Sequence, residues 1–520
     1  MPSRANVHLV LLIHGLWGCP AHLSVAKEEL EAAWVASHSA SHSAASTPRT
    51  PRTHAQVSGP AEDPVITKTL QVPTHHAEGE EQEELVIMIA GGMTSQLTYD
   101  GIDVCASRVA WEVDEKVREL ESQHKQVVKF SVTGYSLGGL VARYLLGLLH
   151  SRSPSFFDTH KPISFSTLSS PHYGIPRYSE SLFSAPPPVI YSMSKDTLLS
   201  TTLCWLGARI MSRSGEQLYV VDKYSEDDPR PLLEIMADPR SVFYHALEKF
   251  ERLSLFAAAI NDNSVPFPTA AIETVDHFAQ WQDQGLVVDC DEAGMIRSWS
   301  RGEVEDDEVD GKVNGKGNEK GRKRPVKKSL GTYIGTLPPV LRYRFPFNYL
   351  IILLFPIMLP IVLCLILARQ SLDTSRSKRR LQQLAQTSSS SSTPQTTAPI
   401  ASSASGLSIQ HLRDTIRRIE RNIESEFIEN ADGPSLDIYN KTTPLQQVVV
   451  KVQLKDSQLR MALWLNQLPF KKYFTWWPEI TNAHATAIVR DAHLFPQHER
   501  GRGMLKFWAK VMLGQATDVS

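Results

Sequence analysis

The sequence predicts an α/β chain: a mostly parallel sheet flanked by helices. Three observations carry this. Short apolar runs recur at Val7–Ile13, Leu85–Ala90, Val127–Thr133, Ile163–Leu168 and Leu253–Ile260. Stretches of helical periodicity lie between them, at Leu23–Trp34, Arg108–Leu120 and Gly139–Leu149. Strand and helix therefore alternate, as crossover connections between parallel strands require. The third observation is a Gly-x-Ser-x-Gly at one strand-to-helix junction, Gly134–Gly138.

Taken in order, Val7–Ile13 is too short for a secretory leader and runs directly into His14-Gly15, so it reads as a first buried strand. Leu23–Trp34 follows as a helix. Ser37–Glu83 is rich in Ser, Thr, His, Pro and Glu and reads as a disordered insertion. Its His75-His76 pair has no further ligand at useful spacing, so no metal is expected. The strand, helix and strand from Leu85 to Thr133 then lead to the serine motif, and Arg177–Gln217 is a Pro-, Leu- and Ser-rich excursion that suits a cap or a helix packed on the core. These elements make residues 1–290 the main part of the core. Residues 291–344 read as a charged linker, acidic and then basic over Arg301–Lys328. Phe345–Ala368 is uncharged and apolar, and is expected to insert into a membrane. Residues 369–405 form a linker with low complexity over Thr387–Ser405, and 406–520 is expected to complete the core.

Bulk properties exclude some classes. The net charge of -2 over 520 residues gives no electrostatic footprint for nucleic acid. Five cysteines without a CxxC pattern argue against a disulfide scaffold or a zinc site and fit a reducing compartment.

The chemistry centres on Gly134-Tyr135-Ser136-Leu137-Gly138. A strand before and a helix after make this the nucleophile elbow of the α/β-hydrolase fold. The turn is so tight that only small residues can flank the serine. Ser136 is the expected nucleophile. The backbone N–H of Leu137 is one expected oxyanion donor, and that of Leu16, at the end of the first strand, is the other. In this fold the order is serine, acid, histidine. Asp262 follows the last strand of the first part and is the expected acid, against the alternative of an Asx-turn aspartate. The base must come later. His277 is too near the acid loop and His411 lies in a charged helical stretch. His484 is favoured over His493 and His498 because it stands just before the apolar run Ala485–Val489. His172 precedes the acid and reads as a structural loop histidine. Such a triad needs no metal or organic cofactor.

Several stretches resemble the family described as putative serine esterases: "HGLWG" at His14–Gly18, "TYDGIDVCASRV" at Thr98–Val109, "GYSLGGLVARYLLG" at Gly134–Gly147, "SSPHYGIP" at Ser169–Pro176, "NDNSVPFPTAAIETVD" at Asn261–Asp276 and "WWPEITNAHATAIVRD" at Trp476–Asp491. Within it, the similarity is to fungal lipases of the yeast lipid-droplet phospholipase type. The resemblance implies hydrolysis of acyl esters of glycerolipids, phospholipids among them, with Ser136 as nucleophile and Asp262 as acid. It also places His484 in a family-like segment. Two other activities remain open: an acyltransferase using the same triad, and a non-catalytic membrane tether. Basic residues flank the apolar segment on both sides, at Arg342 and Arg344 and at Arg369 through Arg380. Pro346, Pro356 and Pro360 interrupt it. A monotopic insertion into a lipid droplet or the cytosolic face of the endoplasmic reticulum is therefore expected, with lipid as substrate.

Overall fold

In a computed structural model of the chain, residues 5–40, 67–70, 83–178, 212–279, 281, 286–301, 371–383 and 450–516 are described. The chain divides into two compact units. One comprises Met1–Arg301 with Thr374–Ser520, and the other Gly302–Asp373. Everything below concerns the first. The membrane insertion expected at Phe345–Ala368 and the charged helical stretch that holds His411 lie outside the described residues, as does most of the charged run after Arg301. No described helix is long and apolar enough to cross a membrane.

The core is a seven-stranded sheet. Its strands are β1 (Ala5–Ile13), β2 (Thr67–Leu70), β3 (Glu83–Ile89), β4 (Lys125–Tyr135), β5 (Lys161–Leu168), β7 (Arg252–Ala258) and β12 (Phe470–Thr475), in the order β12-β7-β5-β4-β1-β3-β2. All pairs are parallel except β2 on β3. Among the described residues, five short strands lie outside it. β6 (Arg177–Tyr178), β8 (Val275–Asp276) and β11 (Val450–Gln453) form one small sheet, and β9 (Leu286–Cys290) pairs with β10 (Ile296–Arg301) in a hairpin.

Both faces of the large sheet are covered, which explains why its strands read as continuous apolar runs. Along β1 the side chains alternate: Leu9, Leu11 and Ile13 join one core cluster, Val10 and Leu12 the other. The first cluster packs against α2 (Ile102–Ser122) and α3 (Leu137–His150). The second packs against α1 (Ser24–Ala40) and against α4 (Arg502–Met512), the last of the described helices.

Three stretches differ from expectation. β2 lies inside the predicted insertion, where Thr67–Leu70 pairs antiparallel with β3 at the sheet edge. The predicted linker begins inside the β9–β10 hairpin, whose Met295 is buried and bridges to Thr475. Residues 374–383, expected to be linker, are helical, with Ser377 fully buried. Local composition hides all three, because each is held by partners distant in sequence. Of the possible cap, 179–211 lie outside the described residues, and Ser212–Leu218 forms a short helix packed on the core.

Candidate active site

Because β1, β4, β5, β7 and β12 run parallel, their C-terminal ends share one edge of the sheet. The strand order reverses between β1 and β4, where connections leave to opposite sides and open a crevice. The candidate site lies at this point.

Ser136 occupies the single residue between β4 and α3, at φ 55 and ψ -126. That backbone is strained for a residue with a side chain, and the flanking glycines relieve the crowding around it. A Cβ on Gly134 would stand 2.4 Å from the Gly138 carbonyl oxygen, and one on Gly138 would stand 2.2 Å from the Ile13 carbonyl oxygen. The motif therefore does more than turn the chain: Gly138 lets the start of α3 touch the end of β1.

Asp262 follows β7 by way of Asn261, whose φ of 63 turns the chain sharply. One carboxylate oxygen, Oδ1, accepts from the N–H groups of Ser264 (3.0 Å) and Val265 (2.8 Å). The other, Oδ2, accepts from His484 Nδ1 at 2.9 Å. The Asx-turn and the acid are thus the same residue, each using its own oxygen. His484 Nε2 stands 3.0 Å from Ser136 Oγ. The Asp262 and His484 side chains are only 2% and 8% exposed, so their bond is shielded from water.

His484 is carried by the single-turn helix Ala483–Thr486, which Asn482 caps by accepting from Ala485 N–H. Three further contacts fix its place. Ala483 N–H donates to the Asn261 carbonyl at 3.0 Å, tying the base to the acid loop. Tyr135 Oη–H donates to the His484 carbonyl at 3.0 Å, and the two rings lie 4.9 Å apart. Burial holds the Tyr135 phenol well above its ordinary pKa, so it remains a donor. Sequence reasoning passed over Tyr135 and Asn482. An asparagine directly before a short helical stretch, as at Asn482, is a readable N-cap signal; nothing local marks Tyr135.

The end of β1 forms the facing wall. Gly15 to Gly18 is a turn closed by Gly18 N–H to the Gly15 carbonyl at 3.0 Å. A Cβ on Gly15 would lie 2.7 Å from Ser136 Cβ, so the backbone leading to Leu16 runs against the serine. Among the described residues, neither the Leu16 nor the Leu137 amide has an acceptor; the latter opens α3 and belongs to the orphan donors of its first turn. His14 is fully buried, and burial lowers its pKa to about 4, so it stays neutral.

The other histidines are placed elsewhere. His498 accepts from the Asp491 N–H and His493 is exposed. His277 packs near Trp299, and His411 lies outside the described residues. His172 is fully buried beside Thr167 Oγ1 (3.0 Å), with its pKa well below the ordinary value through desolvation. Among the described residues no cluster of His, Cys, Asp or Glu could hold a metal ion.

Parts of the chain are similar to known proteins. A Schizosaccharomyces pombe protein named as a putative lipase is 31% identical over 144 residues, 28% of this chain and 16% of that protein. A Saccharomyces cerevisiae protein of the same description is 30% identical over 179 residues, 34% and 25% of the two chains. Putative lipase ROG1 of the same yeast is 25% identical over 199 residues, 38% and 24%. The match thus spans a quarter or less of each of these relatives. Residues 67–274, a stretch that holds both Ser136 and Asp262, match the family model described as "Putative serine esterase".

Proposed function

We propose that the protein is a serine lipase or phospholipase that cleaves acyl esters of glycerolipids at a membrane or lipid-droplet surface. The observation that carries this reading is the unbroken chain from Ser136 Oγ through His484 to Asp262, at 3.0 and 2.9 Å. In the reaction, His484 Nε2 takes the proton of Ser136 as Oγ attacks the ester carbonyl. Asp262 holds the imidazole with Nε2 toward the serine and stabilises the imidazolium. The carbonyl oxygen, now an anion, moves between the amides of Leu16 and Leu137; one such donor contributes about 3 kcal/mol of barrier lowering. The protonated His484 gives its proton to the departing alcohol. Water then attacks the acyl-enzyme with His484 as base, releasing the fatty acid.

A lipid surface as workplace is supported by the description of the relatives as putative lipases and by the apolar sequence of Phe345–Ala368. Residues before and after that sequence belong to one compact unit and supply Ser136 and His484 to one site. This supports entry into the lipid surface from one side, as a monolayer or one leaflet allows. We place that surface on lipid droplets or the cytosolic face of the endoplasmic reticulum.

The test is one mixture with two readouts. Purified full-length protein is incubated with phospholipid vesicles or a triacylglycerol emulsion, floated, and the lipids profiled against Ser136→Ala. Free fatty acid should appear only with the wild type, and both proteins should float. Equal fatty acid release by Ser136→Ala removes the triad. Protein left wholly at the bottom of the gradient removes the surface.

A further inference from the structure

The turn that presents Leu16 is held by a short helix next to it, and that helix is gripped by residues much later in the chain. Trp17, immediately after Leu16, has a φ of 54 and needs support from outside the turn. Its N–H donates to Thr98 Oγ1 at 3.2 Å and its Nε1–H to Tyr99 Oη at 2.6 Å. Ser95 N–H donates to the Gly18 carbonyl at 2.9 Å. All three partners lie on the 3-10 helix Ser95–Tyr99, which ends at Asp100.

Asp100 is fully buried, and a carboxylate in that position requires strong partners. It has three. Arg108 Nη2 donates to Oδ2 at 2.6 Å. Arg380 binds as a fork, Nη2 to Oδ1 at 2.7 Å and Nε to Oδ2 at 3.1 Å. Ser377 Oγ–H donates to Oδ1 at 2.6 Å. Arg108 and Arg380 also donate to the carbonyls of Leu97 and Gln96, at 3.3 and 3.2 Å, so they hold the helix as well as its last residue. Ser377 and Arg380 come from helical residues 374–383, some 280 positions along the chain.

We propose that Ser377 and Arg380 are positioning residues for the oxyanion site: by gripping Asp100 they set the Ser95–Tyr99 helix, which sets Trp17 and so the direction of the Leu16 amide. This rests on the proposed hydrolase reading. An oxyanion donor acts on charge that develops only in the transition state. Loosening the clamp therefore lowers kcat and leaves KM in place. Removing Arg380 does not strand a buried charge, because Arg108 still pairs with Asp100.

The test uses the full-length protein, a soluble short-chain p-nitrophenyl ester and a boronic acid, whose tetrahedral adduct on Ser136 places an oxygen where the oxyanion would sit. Arg380→Ala should lower kcat about tenfold, as small misplacements of reacting groups do, with KM within about twofold. Boronic acid affinity should weaken by the same factor. Ser377→Ala should do the same more mildly, and Arg380→Lys should recover part of the loss. The clamp is overturned if Arg380→Ala keeps wild-type kcat and boronate affinity. It is equally overturned if kcat, KM and thermal midpoint fail together in both Arg380→Ala and Ser377→Ala with no recovery in Arg380→Lys, since that marks a purely structural contact. Ser136→Ala is run in parallel: full hydrolysis by that variant overturns the hydrolase reading, whereas Ser136-dependent hydrolysis with an unaffected Arg380→Ala overturns the clamp alone.

Discussion

At the scale of single residues, the site is a matter of which histidine reaches the serine. His484 Nε2 is 3.0 Å from Ser136 Oγ, while His498, fourteen positions later, spends its Nδ1 on the Asp491 N–H. Triad members act as a unit, so losing the base is about as damaging as losing the nucleophile. His484→Ala should lower kcat by a factor on the order of 10⁴ or more. His498, whose partners are the Asp491 N–H and the Phe495 ring, lies off the triad, so His498→Ala should stay within a few-fold of wild type. Both are measured on a soluble ester with purified protein. The opposite ranking would mean that the base had been misassigned. Asp262 illustrates why one-residue reasoning left an alternative open. An aspartate followed by Asn-Ser-Val is equally an Asx-turn, and here it is one. What the local sequence does not contain is the position of the second carboxylate oxygen, which depends on a helix more than two hundred residues away.

At the scale of elements, the junction between β4 and α3 was the most legible part. Its glycines are dictated by contacts at 2.2 to 2.4 Å that no Cβ could tolerate. The helix Ala483–Thr486 was the least legible, because a single turn has no periodicity of its own. It is held by its Asn482 cap, by the Asn261 carbonyl and by Tyr135. Tyr135 stands in the elbow itself, so the element carrying the nucleophile also fixes the element carrying the base. Tyr135→Phe keeps the ring against His484 and removes the hydroxyl bond to its carbonyl, a loss of about 1 kcal/mol in stability. The expected result is a thermal midpoint lower by a few degrees and kcat lower by several-fold, with KM unchanged. Wild-type kcat in this variant would show that the cap and the acid loop suffice to hold His484.

At the scale of the whole molecule, the fold buries histidines that the site does not use. His8, on β1 beside Ser131, and His14 have pKa values lowered by burial to about 3 and about 4, and His172 is lowered well below the ordinary value. In the unfolded chain each titrates near 6.5. Above that pH both states are neutral and the histidines take nothing from stability. As pH falls below 6.5 the unfolded chain takes up protons that the folded chain refuses, so stability declines until the folded values are reached. Each such group contributes a slope of up to about 1.4 kcal/mol per pH unit. The urea midpoint should therefore fall between pH 7 and about pH 5. His8→Gln, which can keep the bond to Ser131, should make the slope shallower by about one proton. An unchanged slope in His8→Gln would mean that His8 is protonated alike in both states.

What the sequence by itself determined is the content of its local patterns. Continuous apolar runs mark strands covered on both faces, periodic stretches mark the crossover helices, and a serine between glycines at a strand-to-helix junction marks the elbow, because sterics at that turn act over five residues. What only the tertiary structure decided is everything that depends on meeting. β12 is a Lys-containing run that becomes a strand by pairing with β7. β2 is a strand because β3 offers an edge. Residues 374–383, which composition reads as linker, are docked through Ser377 and Arg380 onto a carboxylate buried early in the chain. The choice among His484, His493 and His498 belongs to the same class. Periodicity and propensity report the preferences of neighbours along the chain, whereas these placements are set by partners that burial and hydrogen bonding bring together from outside the local window.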